Sequence, residues 1–458
     1  MEVDHGAVQA PKLPLSTLRA LLKLAWPIVL ARATQSVIGF ADAIMVAPLG
    51  EDAMAAAITG NLNAFSFIIF PMGTAFIVQS FTAQLRGRGE LEAAPRYATY
   101  GIVLAIVAGA IAWLAIPFLP WLIGRLEYSP QVAEAMRAYL AVRLLSVAPV
   151  VATEALGQWF GGMGNTGPEM VAGVVAMIAN VLLCYLLIEP RLGLPGYGVA
   201  GSAWAATIAS TLGFVVIAVL YTRRASWSLD FRVAEFARML RFGAPNGVNW
   251  FLEFAAFTLF INLVIGHLGT SVLAAFNAVL QLCNVSFMPA FGLASAGAIL
   301  AGEAIGRRAL HEVWPTVRLT TLLACGFMGT LSACYALFAH GLIRLFQPPG
   351  GGEPFLQAGV LMLMFVPAWQ VFDALAIVFS EVLRAAGDTA WPMIARITLA
   401  WVFFTPIAWA LVRYAGGGVV TVMVSLIAYL AVLSALLIGR YAYGKWRKIE
   451  LVGPASSG

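Results

Sequence analysis

Three acidic residues lie well inside apolar stretches of the sequence, where carboxyl groups are rare: Asp42, Glu253 and Asp373. An ionised carboxylate at the centre of a bilayer costs at least about 2.5–3.5 kcal/mol on insertion scales, so it is retained only with a partner or a task. Burial away from water also raises the pKa of a carboxyl group toward neutral pH. These residues therefore predict the binding and release of protons or small cations.

Glu253 and Asp373 are predicted to act as a pair. They lie in the seventh and tenth apolar segments, which run in opposite directions, and both are expected in the middle or inner third of the membrane. Protonation of the pair would neutralise it and release a bound cation, and deprotonation would allow the next cation to bind. The alternative is a structural role, with Glu253 tied to Asn249 and Asp373 tied to Gln370 on the same helices.

Other residues in these segments are candidates for cation coupling or for lining a cavity. Asp42 and Asn180 form a second candidate coupling position, although Asp42 could instead cap the next loop and Asn180 could join two helices. Pro27 and Pro245 predict kinks, which either bend during transport or give the cavity a fixed shape. The possible cavity-lining residues are polar, aromatic or soft side chains: Gln35, Gln281, Asn249, Trp369, Phe257 and Met288.

The elements that must position these residues are membrane-spanning helices. Of the 458 residues, 61% are apolar and only 11% are charged, against about 25% charged in ordinary soluble domains. This composition excludes an ordinary cytosolic enzyme and a nucleic-acid-binding protein, and it predicts an all-α polytopic membrane protein. Twelve segments are long enough to cross a hydrocarbon core of about 30 Å: 18–42, 53–81, 97–119, 133–157, 169–189, 198–222, 240–266, 273–302, 314–340, 356–383, 391–413 and 417–440.

Lys and Arg residues are unevenly divided between the two ends of these segments. Twenty of the 27, including Arg384 and Arg396, are expected on the side of the membrane that holds the N-terminus. Four are expected on the opposite side. Positive residues are enriched in cytoplasmic loops. We therefore expect a multi-pass protein of the bacterial plasma (inner) membrane with both termini in the cytoplasm.

The two halves of the sequence repeat short motifs in the same order, 218 to 223 residues apart. The matched stretches are 22–27 with 240–245, 49–50 with 268–269, 87–88 with 306–307, and 164–166 with 387–389. Two parallel six-helix repeats follow, and such repeats place the substrate site of a transporter between them. The expected divisions are a cytoplasmic tail 1–17, an N-lobe 18–222, a cytoplasmic linker 223–239, a C-lobe 240–440 and a cytoplasmic tail 441–458.

Five stretches of this sequence resemble the multidrug and toxic compound extrusion (MATE) family: 41–50, 162–168, 195–207, 242–245 leading to Glu253, and 381–389. The resemblance covers about residues 15–445 and is greater to the norfloxacin-exporter branch than to the DNA-damage-inducible branch. It implies a MATE/MOP-type fold of two six-helix repeats. It also implies export of cationic, amphipathic drugs and other xenobiotics in exchange for H⁺ or Na⁺ entering the cell.

Two positions depart from the cation sites of that family. Cys184 stands one turn after Asn180, where the family's N-lobe branch usually carries a second carboxylate, and Trp369 stands one turn before Asp373, where an aromatic hydroxyl is frequent. Cys and Trp are poor ligands for a hard cation. The departures favour H⁺ and leave Na⁺ at Glu253 and Asp373 open. No resident metal or cofactor is expected.

Rival functions find less support in the sequence. No phosphate-binding GxxxxGK[ST] motif, complete HExxH or GxSxG occurs, so we do not expect an enzyme. The main alternative is a flippase for a lipid-linked saccharide of the same superfamily, which would need several cationic residues around a central cavity. The expected partners are organic cations and the lipid bilayer, with no nucleic acid, and a monomer is expected.

The arginines inside the segments are expected to be paired or to reach toward the membrane surface. They include Arg32 and Arg143, and Glu154 is one predicted partner. Glu381 and Arg384 are three residues apart and are expected to pair on the surface of the tenth helix. Such pairing would keep positive charge out of a cavity for organic cations.

Overall fold

The computed structural model describes residues 15–125, 129–190, 195–347 and 352–453. Most of the predicted N-terminal tail 1–17 lies outside the described residues, as do the last five residues of the predicted tail 441–458. The described residues are almost entirely helical and contain no strand. The predicted all-α fold is therefore confirmed.

Twelve helices in the described part of the chain are long and apolar enough to cross a membrane, in agreement with the prediction. Such segments form helices because a backbone inside lipid must satisfy all of its hydrogen bonds internally. In chain order they are α1 (Ser16–Leu49), α2 (Asp52–Arg88), α3 (Ala94–Ile123), α4 (Pro130–Gly162), α5 (Gly167–Leu187), α6 (Gly198–Thr222), α7 (Val233–Leu268), α8 (Thr270–Gly306), α9 (Leu310–Leu337), α10 (Glu353–Ala385), α11 (Ala390–Tyr414) and α12 (Val419–Tyr443).

Three backbone irregularities lie in helices that carry the candidate residues or join the two halves. In α2 the α-helical hydrogen bonding is interrupted at Phe76, between Glu51–Ala75 and Ile77–Arg88. In α7 and α11 the segments Ile261–Ile265 and Leu399–Phe404 are π-helical. Single π-helical turns are rare and frequently mark functional sites. These three irregularities lie in α2, which contacts the other half of the molecule, and in the two helices that carry Glu253 and Arg396.

Each half of the chain has its own large hydrophobic core. One core is built from buried residues between Phe260 and Trp446, and the other from buried residues between Val46 and Ala205. Within each half the first helix packs against the fifth and the third packs against the fourth, which are equivalent pairings in the two repeats. The halves meet where α1 and α2 pack against α7 and α8.

Backbone-directed hydrogen bonds join the two halves at one end of the bundle, which we call the basic end and define by residues 86–93, 163–166, 223–232, 306–312 and 385–389. The Gln84 amide donates to the carbonyl oxygen of Ala385 at 2.8 Å. Farther from the basic end, the Asn246 amide donates to the carbonyl oxygen of Gly73 at 2.7 Å and also joins the halves. A side chain at Gly73 would press against the backbone of Gly247. Glycine at this crossing therefore lets α2 and α7 approach closely, as small residues do between membrane helices.

The C-terminal segment also crosses between the halves at the basic end. Leu451 and Val452 are buried in a cluster whose other members come mainly from the N-terminal half and include Met239 of α7. The guanidinium of Arg88 donates to the carbonyl oxygens of Gly453 and Val452 at 2.8 and 3.0 Å. The basic end is therefore closed by direct contacts between the halves and by the chain that follows α12.

Candidate functional site

Glu253 on α7 forms an ion pair with Arg396 on α11. The indole nitrogen of Trp401 donates to the carbonyl oxygen of Leu252 at 3.1 Å, and this bond fixes α11 against α7 beside the ion pair. The Glu253 side chain is 40% exposed, whereas that of Arg396 is 13% exposed. The carboxylate is therefore accessible to small ions while the guanidinium is largely covered.

Asp373 on α10 belongs to the same charge cluster. Arg396 interacts electrostatically with both carboxylates, and the carboxylates of Asp373 and Glu253 interact with each other. The phenol of Tyr429 on α12 lies in the field of the same three groups. The structure thus brings the two predicted acids to one neighbourhood and places a cation beside them.

The two structural ties that we considered for these acids are not seen among the hydrogen bonds of the described residues. The Gln370 amide donates to the Ser286 hydroxyl on α8. Asn249 is buried, and within the described part of the chain its side-chain oxygen has no hydrogen-bond partner. The partner of Glu253 is Arg396 instead.

Asp42 lies near the far end of α1, beside α5. The Cys184 thiol donates to the carboxylate of Asp42, with sulfur and oxygen 3.1 Å apart, and its sulfur lies 3.9 Å from the side-chain oxygen of Asn180. Arg143 and Tyr139 on α4 also act electrostatically on Asp42. Asp42 and Asn180 are therefore neighbours, and the Cys184 side chain lies against both of them.

The predicted cavity-lining residues divide into two groups. Gln35 on α1 and Gln281 on α8 are exposed, on helices that meet between the halves. Phe257 and Trp369 pack within the C-terminal half, and the Trp369 ring stacks with Phe276 at a centroid distance of 6.5 Å. Asn249 is buried and Met288 is half-buried. In this conformation Trp369 is a core residue.

Exposed amide side chains recur on the helices that face each other across the two halves. They are Gln35 on α1, Asn61 on α2, Asn262 on α7, and Asn277, Gln281 and Asn284 on α8. A polar side chain within an apolar span is costly when it faces lipid and is normally turned toward the protein interior or water. These amides indicate a polar cleft between the halves, away from the closed basic end.

Arg32 on α1 is held by two carboxylates, one of which we predicted. Its two terminal nitrogens contact the two oxygens of Glu154 on α4 at 2.7 and 3.0 Å. One of these nitrogens also lies 3.1 Å from an oxygen of Glu169 on α5. The Gln158 amide donates to Glu154 at 2.7 Å. The predicted pairing of Arg32 with Glu154 is therefore present, within a larger network.

Glu381 and Arg384 form the expected ion pair, but its predicted position on the helix surface was wrong. Both side chains are buried, because Arg384 reaches across to α2 and donates to the carbonyl oxygen of Phe76 at 2.8 Å and to Gln79 at 2.7 Å. The Gln79 amide in turn donates to Ser295 on α8 at 3.1 Å. This pair therefore joins the two halves.

Glu169 and Arg396 were missing from the sequence-based candidates. Each lies within the first two turns of its helix, at the basic end of the bundle. Charges at that position are usually interpreted as membrane-flanking residues. The repeated motifs at 164–166 and 387–389 could have pointed to these residues. Each motif directly precedes one of two equivalent helices, α5 with Glu169 and α11 with Arg396.

Twelve helices long enough to span a membrane, two like halves and paired buried charges are typical of a helical membrane transporter. A sequence model of the MatE family matches residues 27–186 and again residues 248–410, one match in each half. The chain belongs to the MatE family, whose members are transporters and not enzymes.

Named relatives agree with this assignment. The chain is 30% identical over 441 residues to the "Probable multidrug resistance protein NorM" of Rhizobium meliloti (strain 1021), with 92% of each chain covered. It is 25% identical to the "Multidrug resistance protein PmpM" of Pseudomonas aeruginosa, with 88% of this chain and 87% of the relative covered. The predicted resemblance to the norfloxacin-exporter branch is therefore confirmed.

Solved structures share the fold along almost the whole chain. One, described as an outward-facing conformation of a multidrug resistance MATE family transporter of the MOP superfamily, has a TM-score of 0.86 at 20% identity and covers 96% of this chain and 100% of that chain. A crystal structure of MATE in complex with MaL6 has a TM-score of 0.87 at 21% identity, with 94% and 98% covered. These likenesses confirm the predicted MATE/MOP-type fold.

Proposed function

We propose that this protein is a cation-coupled antiporter that exports cationic, amphipathic small molecules in exchange for H⁺ or Na⁺. The names of its relatives support multidrug efflux as the transport activity. The observation that carries the proposal is the cluster of Glu253, Arg396 and Asp373 on three helices of the C-terminal half. Two carboxylates share one guanidinium, so the cluster carries one unbalanced negative charge that a cation or a proton can neutralise.

The exchange follows from competition for this charge. With the acids ionised, an organic cation in the cleft is attracted to Glu253, the more accessible member of the cluster. A proton on either carboxyl group removes the unbalanced charge, so the organic cation is released. Arg396 acts as a tethered competitor, because it occupies Glu253 whenever no other cation is bound.

The lobes 18–222 and 240–440, joined by the linker 223–239, are the two bodies that we propose to rock against each other. The basic end faces the cytoplasm, in agreement with the enrichment of Lys and Arg in cytoplasmic loops. The contacts that close this end, together with exposed amides between the halves, support a conformation open toward the outside. Pro27 and Pro245 lie inside otherwise continuous helices and are the proposed points of bending.

Asp42 and Asn180 form a second proposed coupling position in the N-lobe. The hydrogen bond from the Cys184 thiol stabilises the carboxylate of Asp42 but supplies no additional charge for a metal cation. This arrangement favours H⁺ over Na⁺ at Asp42. Residues Gln35, Gln281, Asn249, Phe257 and Met288 are proposed to contact the substrate at some stage of the cycle.

The flippase alternative receives less support from the charges of the interior. A pyrophosphate-linked lipid would need free arginines or lysines around the cleft. Arg32, Arg384 and Arg396 each pair with a carboxylate. We therefore propose a monomeric drug antiporter of the inner membrane with both termini in the cytoplasm.

Drug-driven proton flux in proteoliposomes tests the proposal. Glu253→Gln and Asp373→Asn are expected to abolish the proton movement that follows addition of a cationic drug. Glu92→Gln, at an exposed position between α2 and α3, serves as the matched control and is expected to keep it. Normal coupling in both interior variants would overturn the assignment of these acids. Sodium flux measured in parallel decides between the two coupling ions.

A further inference from the structure

Two carboxylates of the N-terminal half converge on a single guanidinium nitrogen. One terminal nitrogen of Arg32 lies 2.7 Å from an oxygen of Glu154 and 3.1 Å from an oxygen of Glu169. The Glu169 side chain also lies against Gly157, one turn along α4 from Glu154, where a larger residue would displace it. The two acids are thus held side by side by α1, α4 and α5.

This cluster is buried and its charge does not balance. The side chains of Arg32, Glu154 and Glu169 are 7%, 6% and 11% exposed. One positive charge faces two acids. Of the charges on the neighbouring helix α10, Glu381 acts on Arg32 as well, but it is already paired with Arg384. Adding this pair leaves the same excess of one negative charge.

Burial makes such an excess unfavourable. When two carboxyl groups share one site, they do not both ionise readily, and an uncompensated buried charge is strongly destabilising. Gln158, whose amide donates to Glu154, is buried, and its side-chain oxygen has no hydrogen-bond partner among the described residues. An acceptor that lacks a donor is complementary to a carboxyl group that carries a proton.

We propose that Glu154 and Glu169 hold one exchangeable proton between them, so that the N-terminal half contains a proton site separate from Glu253 and Asp373. The proton belongs to the pair, because the two acids share the same partner. The assignment is independent of which small molecule the protein exports.

The position of this site connects it to the contact between the halves. The Arg32 guanidinium lies over the rings of Phe76 on α2 and Phe291 on α8, at 5.3 and 5.8 Å from their centroids. Arg384 approaches the same Phe76 ring at 5.6 Å. Loss of the shared proton would change the charge beside Phe76, where the α-helical hydrogen bonding of α2 is interrupted and where Arg384 joins the two halves.

Infrared spectroscopy of the purified full-length protein tests the proposal directly. At neutral pH the carbonyl stretch of a protonated carboxyl group should be present and should shift in D₂O. Glu154→Gln and Glu169→Gln should each remove this contribution, and Glu92→Gln should keep it. An unchanged band in both interior variants would overturn the proposal. This outcome is separable from failure of drug coupling, which is measured with Glu253→Gln.

Thermal unfolding gives a second readout. Proton loss from the folded pair creates an unbalanced buried charge, so the wild-type melting temperature should fall as the pH is raised. Either single Gln variant pairs one carboxylate with Arg32 and should fold and lose this dependence. The double variant leaves Arg32 unpaired and should melt at a lower temperature. The proposal would be contradicted if the melting temperature of Glu169→Gln fell with rising pH as much as that of the wild type. It would also be contradicted if the single variants did not fold.

Discussion

The guanidinium of Arg396 pairs with the carboxylate of Glu253, a residue 143 positions earlier in the chain. The pair connects α7 to α11, and both helices contain a π-helical segment further along. It places a fixed cation within the acid cluster that we propose for ion coupling. In the proposed mechanism, three kinds of cation compete for this cluster: the substrate, the coupling ion and the side chain of Arg396.

Removal of Arg396 tests whether it competes with the substrate. Arg396→Gln should tighten the binding of a cationic dye to the purified protein by roughly tenfold, since coupling energies of about 1.5 kcal/mol or more are measured for close charge pairs. Fluorescence titration measures the dissociation constant. Arg413→Gln, at an exposed position on the same helix, is the control and should not change it. Weaker binding in Arg396→Gln would show that the arginine supports the site instead of competing for it.

Loss of Arg32 should destabilise the fold more than loss of an exposed arginine. Arg32→Gln leaves Glu154 and Glu169 buried without a counter-charge, and breaking a buried ion pair from one side costs about 3–5 kcal/mol. Arg19→Gln, on the exposed face of the same helix, should cost less than about 0.5 kcal/mol. Chemical or thermal unfolding in a constant detergent compares the two. Equal stability of both variants would contradict the described network.

A disulfide across the basic end should stop transport. A Cβ atom at Gly302 on α8 would lie 3.1 Å from the Cβ of Ala83 on α2. Disulfides need about 3.5–4.5 Å between these atoms, so a small adjustment suffices. Oxidised Ala83→Cys/Gly302→Cys should be inactive in drug efflux, and reduction should restore activity. Gly302→Cys alone should not respond to oxidation. Full efflux by the cross-linked protein would mean that this contact need not open.

The thiol of Cys184 offers a test of the N-terminal coupling position. Cys184→Asp would place a second carboxylate beside Asp42, within reach of Asn180, and should make drug efflux depend on sodium, because carboxylate oxygens suit hard cations. Cys184→Ser keeps a hydrogen-bond donor and should behave like the wild type. The measurement is efflux as a function of external sodium at fixed pH. Sodium independence of Cys184→Asp would count against a cation site at Asp42.

The sequence carried enough information to predict the spanning helices and several of their contacts. Twelve long apolar segments predict the helices, because a backbone segment inside lipid must form all of its hydrogen bonds internally. Glu253 and Asp373 could be singled out because carboxylates are costly in such runs, and Arg32 could be matched to Glu154 on the same grounds. These inferences depend on composition and spacing along one segment.

The residues that pair with the acids could not be predicted from composition and spacing along one segment. Arg396 was counted among the charges at the ends of the segments and Glu169 was not singled out, whereas the packing of α7 on α11 and of α1 on α5 brings them into the charge clusters. Arg384 was expected on a helix surface, and its burial depends on the approach of α2 from the other half. The break at Phe76 likewise occurs where helices from both halves meet. Tertiary contacts decide all four features.

Accumulation of a fluorescent cation in everted membrane vesicles under an imposed pH gradient tests the central claim most directly. Wild-type vesicles should accumulate the cation, and accumulation should end when a protonophore collapses the gradient. Glu253→Gln vesicles with the same amount of inserted protein should show no gradient-driven accumulation under an imposed pH gradient or an imposed sodium gradient. Equal accumulation by the wild type and Glu253→Gln would contradict the role of this acid cluster in coupling.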